Sequence, residues 1–443
     1  MPSNLNLKIL FCSEYLFSFL LIGIAASWFT YFSPGSNLDA PKLMSILGAL
    51  YAVSCSFPIV ISYGLDNVIT DQGRVFLGFL LESIGFFILS IYKLQYIEIS
   101  LSVIILGYTL GRPILPVLIY DTDPSNISKN KYFLYMSTNL AHATAPFVFG
   151  FLAPERDQYI FLLASVITFF MAILVFKNEN LKILSYIKIF LMCIVSIYTI
   201  NFVLTKDVLL ICYFCLLLVG TFFTLFSFYS GALQDRKEDC KEILFMFLIG
   251  FVLFSLISQI FFLCPIYIEH NITMQVFNIM LQTPWFLAIN PLFIIIWSLY
   301  CGKKIIKLNY SNCLIYVCIG FMCLFLSTFT SSHIAVILVG ISYVFFTYSE
   351  LKLIPGLIEK ISSWQDTNIT NRRKLMAVFY MIISFSKIAA SVIARIFINR
   401  INVNYREEFT IIFGLLALVT LILQICFFYW SYIRRQRSMA CVM

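Results

Sequence analysis

The residues of this chain that could do chemistry are polar and ionisable side chains set inside long apolar stretches: Glu14, Arg112, Asn139, His142, Gln259, Asn290, Glu350, Lys352 and Lys387. A charge in the middle of an apolar helix costs about 2.5–3.5 kcal/mol on insertion scales, so each needs a partner or a wet cavity. Arg112 can clamp a carboxylate with two hydrogen bonds. It either faces a cavity and holds an anionic group, or pairs with an acidic residue to lock helices together. Glu14 is the acidic residue of the first apolar stretch, and a lone carboxylate there is expensive unless it is paired or protonated, as in a proton carrier. His142 follows Asn139 by three residues, which puts both on one helix face. It can carry a proton near neutral pH, or it is a buried neutral imidazole satisfied by a hydrogen bond. The histidines His142, His270 and His333 lie far apart, so no metal cluster stands out. No phosphate-binding glycine loop or nucleophile elbow occurs. These features disfavour a membrane acyl- or glycosyltransferase, and neither a cofactor nor a metal is expected.

The elements that must hold these residues are membrane helices. Of 443 residues, 61% are hydrophobic and 12% charged, a balance foreign to a soluble core and its surface. A spanning helix takes about 20 mostly apolar residues. By that measure the spans fall near 9–31, 43–64, 74–94, 99–120, 132–153, 157–176, 184–204, 207–230, 243–267, 283–301, 311–330, 333–357, 375–397 and 409–433. The first is too long for a cleavable signal and no small-residue cleavage site follows it. The 13 cysteines are scattered through apolar spans and read as small apolar side chains.

The net charge of +8 is a topological signal, not the mark of a nucleic-acid partner. With a cytoplasmic N-terminus, nineteen Lys and Arg fall in inside segments and six in outside loops. That asymmetry predicts both termini in the cytoplasm, with the excess facing anionic lipid headgroups. Charged connections near 177–188 and 235–242 divide the spans into six, two and six. The expected organisation is an N-terminal six-helix bundle over 1–180, two inserted helices over 181–235 and a C-terminal six-helix bundle over 236–443.

Several segments carry a family resemblance. Tyr132-Phe-Leu-Tyr-Met-Ser-Thr-Asn139 runs on to Pro146 and Gly150. Trp285-Phe-Leu-Ala-Ile-Asn290-Pro291-Leu-Phe293 lies in the tenth span. Tyr348-Ser-Glu350-Leu-Lys-Leu-Ile-Pro355-Gly-Leu lies in the twelfth, and Gly107-Tyr-Thr-Leu-Gly-Arg112-Pro113 in the fourth. In order and spacing these resemble the proton-dependent oligopeptide transporters, or peptide transporter family, of the major facilitator superfamily. Pro58, Asp66, Gly78 and Gly85 also fall at positions of that pattern, although the Gly-Gly pair of the second span reads Ile61-Ser62 here.

The resemblance implies an all-α polytopic membrane protein of the major facilitator fold. It would have two six-helix bundles plus two inserted helices, in a cell membrane, as in the bacterial inner membrane. It implies a monomeric secondary transporter moving di- or tripeptides with protons by alternating access. Arg112 stands where the family has a lysine that meets the peptide carboxylate. Asn290 and Glu350 stand at residues that hold its amino group, with Gln259 and Asn139 completing the substrate set. Glu14 and His142 are the proton-coupling candidates. Asp66 and Arg74 fall in the gating loop, where an aspartate can sit against a helix N-terminus; the alternative is that both are solvated loop charges. The first span departs from the family's Glu-x-x-Glu-Arg-Phe-x-Tyr-Tyr-Gly. Its second glutamate is Phe17, its arginine Ser18 and its tyrosines Leu21-Ile22. An amino-acid-like, siderophore-like or other zwitterionic substrate, with altered or no proton coupling, therefore stays open.

Overall fold

An apolar run that leaves water must satisfy every backbone N–H and C=O internally, and a helix does so within one segment. The computed structural model describes residues 6–27, 48–50, 53–54, 56–57, 68–123, 127–150, 157–176, 183–205, 219, 237–272, 275–276, 279–280, 283–301, 310–362, 369–400 and 406–440. They are almost wholly helical and fall into two compact units, Met1–Phe222 and Phe223–Met443. Ten helices among the described residues are long and apolar enough to cross a membrane, and Trp285–Trp297 is a shorter apolar helix. The protein is a multi-pass membrane protein. Most of the expected spans at 43–64 and 207–230 lies outside the described residues.

The first unit contains α1 (Leu7–Ser27), α2 (Asp71–Tyr92), α3 (Ile97–Gly111), α4 (Leu115–Thr122), α5 (Ile127–Gly150), α6 (Asp157–Val175) and α7 (Ile183–Thr205). Helices α1 and α5 run parallel. Phe11 meets Phe133 and Phe19 meets Phe149, each at 5.8 Å between ring centroids, and the Tyr15 and Thr144 hydroxyls are hydrogen-bonded at 2.8 Å. Helices α2 and α3 are antiparallel and nearly touch through their backbones. A Cβ on Gly107 would lie 2.5 Å from the Gly78 carbonyl oxygen, and one on Gly85 3.0 Å from that of Ser100. Helix α2 is also antiparallel to α6: the hydroxyls of Ser83 and Ser165 each donate to the other's carbonyl at 2.9 Å. Helix α5 forms as expected but is not among the ten apolar spans, because Lys129, Asn130, Lys131, Thr138, Asn139, His142 and Thr144 lie along it.

The second unit contains α8 (Lys237–Ile257), α9 (Gln259–Asn271), a small antiparallel pair of strands (Gln275–Val276 with Ile279–Met280), α10 (Thr283–Cys301), α11 (Tyr310–Ser327), α12 (Ser332–Ser362), α13 (Ile369–Ile398) and α14 (Arg406–Ala440). Its packing repeats the scheme of the first. The run α8–α9 is parallel to α13, through Phe254 with Phe379 at 6.4 Å and Gln259 with Ala390. Helix α11 is antiparallel to both α12 and α14, through Tyr316 with Tyr348 at 4.7 Å and Gln424 with Ser311 at 2.7 Å.

Two interruptions mark the helices that carry polar residues. Between α3 and α4 a 3-10 segment covers Arg112–Ile114. Pro113 and Pro116 supply no N–H there, which breaks the regular ladder. Between α8 and α9 the chain turns at Ser258, and the Gln259 amide donates to the Ser255 carbonyl at 3.3 Å.

Candidate functional site

In the first unit the site is built around Glu14. It lies on the inner face of α1 and is 3% exposed. Its Oε1 accepts hydrogen bonds from Arg112 Nε at 3.0 Å, Thr138 Oγ1 at 2.7 Å and Ser18 Oγ at 3.3 Å. Ser18 is one turn along α1, while Thr138 comes from the parallel helix α5. Arg112 reaches in from the 3-10 segment and its side chain is 31% exposed. Its Nη1 also donates to the Tyr108 hydroxyl, and its guanidinium carbon lies 5.3 Å from the Tyr108 ring centroid. Arg112 thus pairs with an acidic residue, the second of the two alternatives, and part of its side chain stays exposed. A charge-assisted bond of this kind orients the carboxylate.

The packing beside this pair accounts for one departure in the first span, Phe17. The Phe17 ring stacks on Phe79 at 4.1 Å and fills the notch at Gly111, where a Cβ would lie 2.2 Å from Phe17 Cζ. Asn139 is buried next to Thr138 and His142 is half-buried one turn further on. Both take part in further interactions.

In the second unit, Asn290 of α10 donates from Nδ2 to Glu350 Oε2 of α12 at 2.9 Å. The other amide atom of Asn290, Oδ1, is buried with no hydrogen-bond partner among the described residues. Pro291 has no N–H to offer the Leu287 carbonyl one turn back, so the backbone here is polar as well. Lys387 of α13 lies within electrostatic reach of Glu350. A carboxyl and an unpaired amide oxygen form a site that can take an ammonium group.

Gln259 is fully buried and donates to the Ser255 and Ala390 carbonyls, at 3.3 and 3.2 Å, tying α9 to α13; its Oε1 has no partner among the described residues. Lys352 lies against two aromatic rings. Its ammonium sits 5.2 Å from the Tyr316 ring centroid and 4.9 Å from that of Tyr348, so aromatic faces stabilise the buried charge. Arg74 is 5% exposed in the first turns of α2, so it is not a solvated loop charge. Its gating partner candidate, Asp66, lies outside the described residues. Sequence reasoning missed Thr138, Tyr108 and Glu82. Thr138 stands one turn before His142, and the face argument applied to that histidine would have found it. Glu82 is a carboxyl in an apolar span, which is itself the signal.

No protein-family model matches the chain, and no curated protein sequence matches it. Solved structures do, over nearly the whole length. A tetrameric PepTSo2 shares 14% identity at a TM-score of 0.81, over 97% of this chain and 98% of that one. A mutant peptide transporter POT in complex with alafosfalin shares 19% identity at a TM-score of 0.77, over 95% and 93%. A POT family transporter in complex with 5-aminolevulinic acid shares 19% at 0.74, over 95% of each chain. At such identities the likeness is one of fold.

Proposed function

We propose, from the fold that this chain shares with POT family peptide transporters, that it is a secondary active transporter of that family, a divergent member in sequence. It moves di- or tripeptides together with protons, by alternating access of two six-helix halves with two inserted helices between them. The recurring packing scheme supports the two halves. The inside excess of Lys and Arg supports cytoplasmic termini and a cell-membrane location, the inner membrane in a bacterium.

The observation that carries the reading is the Glu14–Arg112 pair. A substrate carboxylate competes with Glu14 for the Arg112 guanidinium. Glu14, left with hydroxyl donors in a buried place, then takes a proton. Proton and substrate thus enter together, and loss of the substrate restores the ion pair and expels the proton. Glu350 and the free Oδ1 of Asn290 receive the substrate ammonium group. Arg74, with Asp66, acts at the inner gate. Asn139, Gln259 and His142 serve as supporting polar groups around these sites.

A second reading keeps transport and changes the cargo. Ser18, Leu21 and Ile22 replace the polar residues of the family's first span, and one neighbour of the same fold binds 5-aminolevulinic acid. A small amino-acid-like zwitterion, with or without protons, fits that loss. Uptake of labelled dipeptides and single amino acids into proteoliposomes, with and without an imposed pH gradient, separates the readings. Gradient-driven accumulation of dipeptides is expected. Uptake of amino acids alone supports the second reading, and no uptake of either overturns both.

A further inference from the structure

Helix α2 carries a carboxyl that the site described above does not use. Glu82 lies near the middle of α2 and is 0% exposed. Neither of its oxygens has a hydrogen-bond partner among the described residues. Its side chain lies across Gly107 of α3: a Cβ there would meet Glu82 Cγ and the Glu82 backbone nitrogen, each at 2.9 Å. One turn back, Phe79 stacks on Phe17. The next residue, Ser83, is bound to α6.

A leucine would fill this place without burying two oxygens. An ionised carboxylate stripped of water and of partners is far too costly, so the place accepts the neutral acid, which holds a proton. The charged groups on the surrounding elements are Asp71 and Arg74 on α2, Glu98 on α3, Arg112 on its continuation, Lys8 and Glu14 on α1 and Asp157 on α6, with the Tyr108 hydroxyl also on α3; none of them hydrogen-bonds Glu82. Helix α6 offers Ser165 and Thr168, whose hydroxyls donate to backbone carbonyls. The two backbones approach directly at Gly78 and Gly107, with the Glu82 side chain against Gly107 and the Phe17 ring at Gly111. A small shear of the two helices, of the kind packed helices undergo, would therefore open Glu82 directly to water.

We propose that Glu82 is a second proton-binding site of the first unit, distinct from Glu14, whose occupancy follows the α2–α3 contact. With the helices closed, the carboxyl keeps its proton. When they slide, water enters over Gly107, the proton passes from the carboxyl oxygen to that water, and a hydrated carboxylate remains. Such a shear reaches both ends of the pair, because α3 runs directly into Arg112 and Arg74 lies in the first turn of α2. The inference rests on the proton-coupled reading and adds a second proton to each transport cycle.

The test is the static-head accumulation of a labelled dipeptide by the full chain in proteoliposomes, with the membrane potential clamped to zero and the pH gradient varied. The slope of log accumulation against the gradient counts protons per substrate. Glu82→Gln keeps shape and removes titration. It is expected to lower the slope by about one, so that a one-unit gradient drives roughly tenfold less accumulation. An unchanged slope in a folded Glu82→Gln protein overturns the role of Glu82 and leaves the proton-coupled reading standing. A wild-type slope of zero overturns both. A second measurement covers a variant that does not fold. Dicyclohexylcarbodiimide adds to protonated carboxyls in apolar surroundings and leaves a stable acylurea that mass spectrometry locates. Modification of Glu82 in the wild-type protein, falling as the pH is raised, is expected. A Glu82 that stays unmodified from acid to alkaline pH overturns the proposal.

Discussion

Replacing Gly107 with alanine tests the contact on which the first unit's geometry depends. The added Cβ would sit 2.5 Å from the Gly78 carbonyl oxygen and 2.9 Å from the Glu82 nitrogen. Both are backbone atoms, so no side chain can rotate away and α2 and α3 must part by about an ångström. Overpacking of this kind costs about 1–3 kcal/mol, and backbone neighbours place it near the upper end. Alanine returns up to about 1 kcal/mol as the better helix former. The net loss is about 2 kcal/mol, which for a unit of this size lowers the unfolding midpoint by roughly 4–8 °C. Gly340→Ala is the matched control. Nothing lies within 4 Å of a Cβ there, so the midpoint should hold or rise slightly. The assay is thermal unfolding of the purified protein in one detergent at a fixed scan rate, since membrane-protein midpoints depend on the rate. A Gly107→Ala protein as stable as wild type would refute the close approach of α2 and α3. Equal destabilisation by Gly340→Ala would show that the effect is not one of contact.

Three further outcomes follow from the site. Glu14→Gln should abolish accumulation driven by a pH gradient while counterflow of substrate persists, because exchange needs no net proton movement; full concentrative uptake would make Glu14 structural. Glu350→Gln should weaken binding of a substrate with a free amino group by about 10- to 150-fold, the worth of about 1.5–3 kcal/mol for a hydrogen bond to a charged group. Substrates with a blocked amino group should be affected far less, and equal losses for both would remove Glu350 from the ammonium site. Lys352→Arg should keep stability close to wild type because a guanidinium also sits well over Tyr316 and Tyr348, whereas Lys352→Glu should lose about 2 kcal/mol or more in thermal unfolding. A stable Lys352→Glu protein would mean that the rings do not hold the cation.

How far the site could be read from the chain differs from residue to residue. Asn290 and Glu350 each stand out as polar residues in apolar runs, and their spacing along the chain matches a known family. Their hydrogen bond joins α10 to α12 across sixty residues of sequence, and no local pattern reports it. Arg112 was legible as a cation in need of a partner. That the partner is Glu14, with Thr138 and Tyr108 completing the cluster, depends on α1 lying parallel to α5 and close to the break after α3. Lys352 invites a search for an acid, yet the helix turns it toward two tyrosines instead.

The sequence by itself determined that the chain is helical and crosses a membrane. Those properties follow from the length and polarity of contiguous segments, since a backbone without water has to bond to itself. It also determined which carbonyls near Pro113 and Pro116 lose a backbone donor, since those residues withhold N–H groups wherever they are placed. The tertiary structure decided which polar groups meet and which remain without partners. Glu14 and Glu82 are both carboxyls in apolar helices, and nothing in their local sequence separates them. One faces an arginine and two hydroxyls, and the other faces the bare backbone of Gly107. A buried carboxyl's free energy depends on the few groups within hydrogen-bond reach, and helix packing chooses those groups from distant parts of the chain.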